Sequence, residues 1–391
     1  MIGTYPPTRC GIATFTADVE QALTEAGVTV SVLVVDPDHT LRVGRLPTIV
    51  SNDRASYAAA AQWLNSSGID LVLVEHEFGI HGGADGGHLL ELTEHLTIPY
   101  VVTLHTVLTR FTATQSAILD SLCARAAGIT VFTATARQMI VEQELAASAS
   151  ITIVPHGAPI ELYRSVGRSL RDELGLAEGA PVLSTFGLLS PGKGIEIAIT
   201  AMRQIVDCVP DARYVIAGRT HPGVQRSGGE RYRADLQRLT EALRLEEHVH
   251  FVDRFLTVEE IAELLSWTTV FLTPYRNADQ IVSGVLTFAI AAGCPVVTTP
   301  YRYGCDMVAD GAGMIVPFND PDAFARASLT LMTDGAPRTH ALDVAKAVSA
   351  TLSWPAVGRT LAQVLAVALA RSRPTRAPVA DVAPSSAHLL G

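Results

Sequence analysis

The chain alternates short apolar runs with longer stretches in which apolar residues recur every three to four positions. Runs of the first kind stand at 28–35, 69–75, 99–104, 128–133 and 151–154 and read as strands. Helical spacing precedes or separates them at 13–26, 57–65, 89–96, 115–127 and 134–145. The segment TVSVLVV, with its β-branched residues and no charge, is what a parallel strand covered on both faces requires. Ahead of the first helix there is little room for a strand, so that strand is either very short or cut by a late start.

After a polar link at 163–176 the rhythm restarts. Strands are predicted at 182–186, 212–217, 249–252, 270–272, 295–298 and 314–316, and helices at 194–206, 231–243, 258–266, 285–292 and 322–332. Strands joined through helices imply right-handed crossovers and a parallel sheet. The pattern therefore predicts an α/β protein of two Rossmann-like doubly wound parallel-sheet domains, at 1–165 and 166–350, facing across a cleft. An amphipathic helix is expected at 351–371, and 372–391, rich in Pro, Ala and Ser, reads as a disordered tail.

Composition narrows the partners. The 391 residues are 48% hydrophobic and 17% charged, too long for one ordinary core and well suited to burial. A net charge of −10, from 39 acidic and 29 basic residues without a run of either sign, argues against nucleic acid, which needs a clustered basic surface. The five cysteines, Cys10, Cys123, Cys208, Cys294 and Cys305, form no CxxC pair, so neither a disulfide framework nor a zinc knuckle is indicated. No basic-then-apolar leader follows Met1 and no apolar run reaches membrane-spanning length, so a cytoplasmic protein is expected.

Candidate chemistry gathers where strands end in loops. The stretch STFGLLSPGKGIEIAITAM (184–202) is a strand, a loop with Gly187, Pro191, Gly192, Lys193 and Gly194, and a helix. Backbone N–H groups, a positive helix end and an ammonium around one point make an anion site, although a Gly/Pro turn entering a helix also serves as a mere cap. It is neither a Walker A loop nor GxGxxG. Ser283 and Gly284 open a second helix with no bulky side chain in the way, reading as a phosphate site or an ordinary Ser cap. His105 closes an apolar strand, where it either bonds a ligand hydroxyl or is satisfied within the fold. Glu75, His76, Glu77 and His81 imitate a metal cluster but lack HExxH spacing, so no metal is expected.

With these residues in place, the chain resembles the retaining GT-B glycosyltransferases of family 4 (glycosyl transferases group 1) over nearly its whole length. The resemblance is carried by GTYPPTRCGIATF, LHT, IVPHGAP, FGLLSPGKG (like V-G-R-L-x-P-x-K-G) and AIAAGCPVVTTPY (like E-A-M-A-x-G-x-P-V-V). SWPAVGRTL resembles the family's last helix, which crosses back to the first domain.

That resemblance implies a nucleotide-diphosphate sugar on the second domain, a carbohydrate or other small acceptor on the first, retention of configuration and no obligatory cofactor or metal. Lys193 matches the family lysine on the diphosphate, and Gly11 the position whose backbone approaches the donor phosphate. His105 matches the strand-end histidine beside the transferred sugar. Gly192, Gly194, Ser283 and Gly284 complete the expected phosphate site, Gln280 is expected at the sugar, and Glu75, His76, His156, Asp279 and Arg219 are candidate sugar or acceptor contacts.

The chain also departs from the pattern. The family arginine falls on Leu188, with Arg219 and Arg254 as candidate replacements, and the E-x7-E glutamates fall on Gln280 and Phe288. Gln280 still hydrogen-bonds hydroxyls; Phe288 cannot accept from a ribose. A divergent subgroup follows, with hexosyl transfer first. A phosphorylase-like enzyme using phosphate or sugar phosphate, an enzyme of another class on the same scaffold, and a catalytically silent carbohydrate-binding homologue are the alternatives. The coherent polar run Asp279, Gln280, Ser283 and Gly284 speaks against a decayed site.

Overall fold

The computed structural model describes residues 1–37, 47–163, 167, 169–333 and 335–372. Two parallel sheets organise them. The first comprises β1 (Ile2–Gly3), β2 (Leu33–Asp36), β3 (Ile49–Val50), β4 (Val72–His76), β5 (Tyr100–Leu104), β6 (Gly128–Val131) and β7 (Ile151–Ile153), in the order β3-β2-β1-β4-β5-β6-β7. The second comprises β8 (Val182–Phe186), β9 (Arg213–Ala217), β10 (Val249–Val252), β11 (Val270–Thr273), β12 (Val296–Thr298) and β13 (Gly313–Ile315), in the order β10-β9-β8-β11-β12-β13. In each sheet the order reverses beside its first strand, and that switch point is where doubly wound sheets leave a crevice.

Burial explains why these runs became strands. Every residue of β4, β5 and β8 is buried, as helices covering both faces require. The helix Ile195–Cys208 buries Ile195, Ile199, Met202 and Ile205 at helical spacing, each worth roughly 1.5–3 kcal/mol once removed from water.

The expected first strand exists as the pair Ile2–Gly3, hydrogen-bonded between β2 and β4. β2 begins at Leu33 rather than near 28, because Val28 closes the preceding helix through its N–H to Leu23 O (3.0 Å). The short strand β3 and the helices Pro222–Gly228, Arg302–Val308 and Ala336–Leu352 were not visible in the apolar pattern. The supposed link at 163–176 contains the helix Ser169–Glu173, whose first amides are held by the buried carboxylate of Glu263, 2.7 Å from Leu170 N and 3.2 Å from Arg171 N. The boundary residues 164–166 and the tail from 373 lie outside the described residues.

The last helix, Trp354–Ser372, returns to the first domain and packs on the helix Gly11–Glu25. Gly358 permits that approach, since a Cβ there would stand 2.4 Å from Ala22 O. Where the chain comes back, Ala158 N–H donates to Leu352 O (2.6 Å) and Trp354 N–H to Ala158 O (3.0 Å), and Ala158 and Ser353 form an isolated parallel bridge.

Candidate functional site

Three loops at the carboxyl ends of β8, β9 and β11 are stitched into one surface. After β8 the chain turns at Gly187, makes a single 3-10 turn Pro191–Lys193, and enters its helix through Gly194 at φ 61°. Gly194 is required twice over, by that left-handed backbone and by Pro274 O, which a Cβ would meet at 2.1 Å. Beside this loop runs the one after β9: Leu189 N–H donates to Arg219 O (2.8 Å) and His221 N–H to Leu189 O (2.8 Å). From the other side Arg276 N–H donates to Gly192 O (2.9 Å).

Lys193 is therefore held on a rigid loop, and its ammonium lies 3.8 Å from the centre of the Tyr275 ring. That ring is buried and stacks on Tyr301 at 4.9 Å. The Tyr275 hydroxyl stands 3.5 Å from Ser283 Oγ, at the start of the helix Gly284–Ala291. Ser283 Oγ caps that helix by accepting from Leu286 N–H (3.4 Å). Lys193, Tyr275 and Ser283 thus form one chain of contacts between the two loops that open helices.

The first domain meets this surface at a seam. The His156 ring lies against Gly284, where a Cβ would stand 3.0 Å from its Cε1 and Nε2, and its centroid is 6.1 Å from that of Phe288. Its Nδ1 is 2.7 Å from Gly157 O, and burial pushes its pKa down to about 4, so the ring is neutral. Around it Phe15, Phe132 and Trp354 form an aromatic cluster with centroid separations of 5.1, 6.0 and 5.6 Å from His156. Phe288, at the position of the family's second glutamate, packs toward this cluster and Phe186.

Asp279 is engaged from both domains: Thr109 Oγ1 donates to its Oδ2 (2.8 Å) and Arg302 Nε lies 3.3 Å from its Oδ1. The Gln280 amide donates within its own loop, to Val282 O (2.9 Å). Gly11 begins the helix Gly11–Glu25, exposed and with open space where a side chain would stand, behind a Cys10 cap. The preceding Arg9 reaches the second domain, 5.5 Å above the Phe255 ring.

His105 Nε2 lies 2.8 Å from Glu75 Oε2, both groups being buried. The ring is edge-on to Phe15 at 4.8 Å. Glu75 is covered because β4 pairs with β5 in the register Glu75↔Thr103 and because Gly3 leaves room for it, a Cβ there meeting Glu75 Cβ at 3.2 Å. His76 and His81 are buried beside it, each with an unpartnered Nδ1, and burial lowers their pKa values to about 3 and about 4. Among the described residues no group of His, Cys, Asp or Glu is arranged to hold a metal ion.

The structure thus links the Gly192–Gly194 loop of Lys193 to Ser283 and Gly284 through Tyr275 and sets His156 against Gly284. It puts Asp279 in contact with Thr109 of the first domain, with Gln280 next to it on the loop, and places Arg219 on the loop paired with that of Lys193. Glu75 and His76 lie beneath the surface of the first domain. Sequence reasoning did not single out Tyr275, Thr109 or Arg302. An aromatic residue directly after Pro274, which follows β11, is a signal for the first; Thr109 and Arg302 reach Asp279 from distant positions and leave no local pattern.

Comparison with known proteins agrees with this architecture. The structure superposes on a sucrose-phosphate synthase from Thermosynechococcus elongatus with TM-score 0.75 and 19% identity, covering 95% of this chain and 99% of that one. Anabaena HepE, solved in complex with UDP and glucose, matches with TM-score 0.70 and 18% identity over 93% and 98% of the two chains. Both share the GT-B arrangement of two facing Rossmann-like domains. Residues 10–162 match the model of Glycosyltransferase Family 4, and residues 168–347 that of Glycosyl transferases group 1. The chain belongs to this family of glycosyltransferases.

Among curated relatives, a D-inositol 3-phosphate glycosyltransferase of Corynebacterium glutamicum (strain R) is 29% identical over 56% of this chain and 52% of its own. A GDP-mannose-dependent alpha-(1-6)-phosphatidylinositol monomannoside mannosyltransferase of Mycolicibacterium smegmatis is 30% identical over 56% of each. The chain spans about half the length of the curated relatives it matches. No helix among the described residues is long and apolar enough to cross a membrane.

Proposed function

We propose that this protein transfers a hexosyl group, mannosyl or glucosyl, from a nucleotide-diphosphate sugar to a hydroxyl of a carbohydrate or other small acceptor, with retention of configuration. The observation that carries the reading is Lys193, whose ammonium is set on the Tyr275 face between two loops that open helices, the second of which meets His156 of the first domain at Gly284. A diphosphate there meets a cation and the helix end at Ser283–Gly284, both suited to negative charge, beside a Gly192–Gly194 turn whose Lys193 and Gly194 amides donate to Ser190 O and Pro191 O.

In the transfer, the bond from the sugar's anomeric carbon to the β-phosphate oxygen breaks and its electron pair stays on that oxygen. The acceptor oxygen forms the new bond from the same face, and its proton passes to the leaving phosphate. Gln280 and Asp279 serve sugar hydroxyls, while His105 stands beside the transferred sugar. Lys193 and the backbone donors neutralise the diphosphate in this scheme, and neither a metal nor a cofactor is assigned a part. The five free thiols fit a reducing compartment, and we place the reaction in the cytoplasm.

A thermal-shift panel of GDP-mannose, UDP-glucose, ADP-glucose, the free nucleotides and phosphate tests the reading, because a ligand that binds only the native state raises the melting temperature. Stabilisation by a sugar nucleotide is expected. A shift with phosphate or sugar phosphate alone would replace it with the phosphorylase-like reading, and a shift with glycans alone with a binding protein. Lys193→Ala abolishes turnover with little change in melting temperature; a fully active variant overturns the site assignment.

A further inference from the structure

The loop on which Lys193 sits holds a leucine where a second positive charge would complete a diphosphate clamp. Leu188 precedes Leu189, which pairs with Thr220 in an isolated parallel bridge linking the loops after β8 and β9. In a bridge of extended chain, side chains alternate in direction, and adjacent strands lie about 4.8 Å apart. Leu189 and Thr220 both point inward, 1% and 3% exposed. Their neighbours Leu188 and Arg219 therefore emerge together on the opposite side, one chain-width apart, and Arg219 is exposed.

Of the other arginines around this rim, Arg226 lies beyond His221 in the helix Pro222–Gly228, and three are already committed. Arg254 pairs with Glu173 (2.8 Å) and Glu260, Arg276 with Glu196 (2.6 Å), and Arg233 with Asp253 (2.7 Å). Among the described residues Arg219 forms no such pair. The Glu230 carboxyl is held below its usual range chiefly by the Thr220 hydroxyl, and Arg219 is the least of the contributors. His221, next on the same loop, accepts from Gly223 N–H at Nδ1 (3.0 Å). That leaves Nε2–H as a neutral donor in a ring whose pKa is lowered by burial and by the charges of Arg226 and Lys193.

We propose that Arg219 supplies the second diphosphate cation, moved from the strand that carries Leu188 to its neighbour, with His221 as an adjoining hydrogen-bond donor. The inference rests on the function proposed above and assigns Arg219 to the leaving diphosphate rather than to the acceptor. A guanidinium here gives two parallel N–H donors to phosphate oxygens and stabilises charge as the glycosyl bond breaks.

Isothermal titration with UDP, GDP and ADP, and with the nucleoside matching whichever binds best, tests it in wild type, Lys193→Ala, Arg219→Ala and Arg219→Ala with Leu188→Arg. Loss of a charge-assisted phosphate contact weakens diphosphate binding by about tenfold or more in Arg219→Ala and leaves the nucleoside unaffected. The arginine restored at 188 recovers most of that loss. Wild-type diphosphate affinity in Arg219→Ala, alongside weakened binding in Lys193→Ala, overturns this inference and leaves the proposed function standing; equal losses for diphosphate and nucleoside also overturn it. A wild-type protein that binds none of the three diphosphates removes both.

Discussion

The ammonium of Lys193 rests 3.8 Å from the centre of the Tyr275 ring, which itself stacks on Tyr301 at 4.9 Å. A cation–π contact of this kind is worth roughly 0.5–2 kcal/mol and fixes where the charge waits for a ligand. Tyr275→Leu is expected to weaken UDP or GDP binding by about two- to thirtyfold, while Tyr275→Phe, which keeps the ring, stays near wild type. In a Lys193→Ala background the leucine substitution adds no further loss. If phenylalanine is as damaging as leucine, the link to Ser283 and not the ring is what matters.

Glu75 and His105 give a second test. Their contact is buried and charge-assisted, a kind of bond worth about 1.5–3 kcal/mol. Glu75→Gln preserves volume but removes the charge that orients the ring, so kcat should fall about ten- to hundredfold. Nucleoside diphosphate affinity, measured by titration, should not change, because the pair lies in the first domain away from Lys193. A parallel loss of diphosphate affinity would show that the pair supports the fold of the whole seam instead.

Gly157 faces the Trp354 ring so closely that a Cβ would stand 2.1 Å from Cε3. Gly157→Ala overpacks this contact and should cost about 1–3 kcal/mol of stability, read as a lower denaturation midpoint. Adding Trp354→Leu, which makes room, should recover part of it.

Asp18 offers a pH signature. Burial raises its pKa to about 7, against a lowering by the Trp354 indole, so the folded state holds a proton that the unfolded chain gives up near the ordinary value of 3.8. Stability from this group is complete below about pH 4 and declines as pH rises toward 7. The buried histidines 76, 81 and 156 tilt the opposite way, losing stability as pH falls below 6.5. Asp18→Asn should therefore leave the melting temperature unchanged at pH 4 and raise it above wild type at pH 8. Identical differences at both pH values would remove Asp18 as the cause.

Much of this molecule was legible in its sequence for physical reasons. Strands buried on both faces advertise themselves as uncharged runs, and a loop rich in Gly and Pro before a helix is conspicuous, which is why β8 and Lys193 were found together. Gly3 and Glu75 show the limit. A two-residue strand has no periodicity to detect, yet the gap at Gly3, with the pairing of β4 to β5, is why Glu75, expected at the ligand, is buried within the first domain. Asp279 and Thr109 meet from 170 residues apart, a proximity that only the closed arrangement of both domains creates.

The chain passes between its domains twice, and at the return Ala158 and the stretch from Leu352 to Trp354 are laced together by two backbone hydrogen bonds. Two separate tethers would let the halves twist and slide as well as open. Tethers fastened side by side would confine any turning of the halves to that one line. Such a turn would bring Lys193 and His156 back to the same mutual alignment, so the register of the proposed site would rest on the backbone pairing of Ala158 with Leu352 and Trp354.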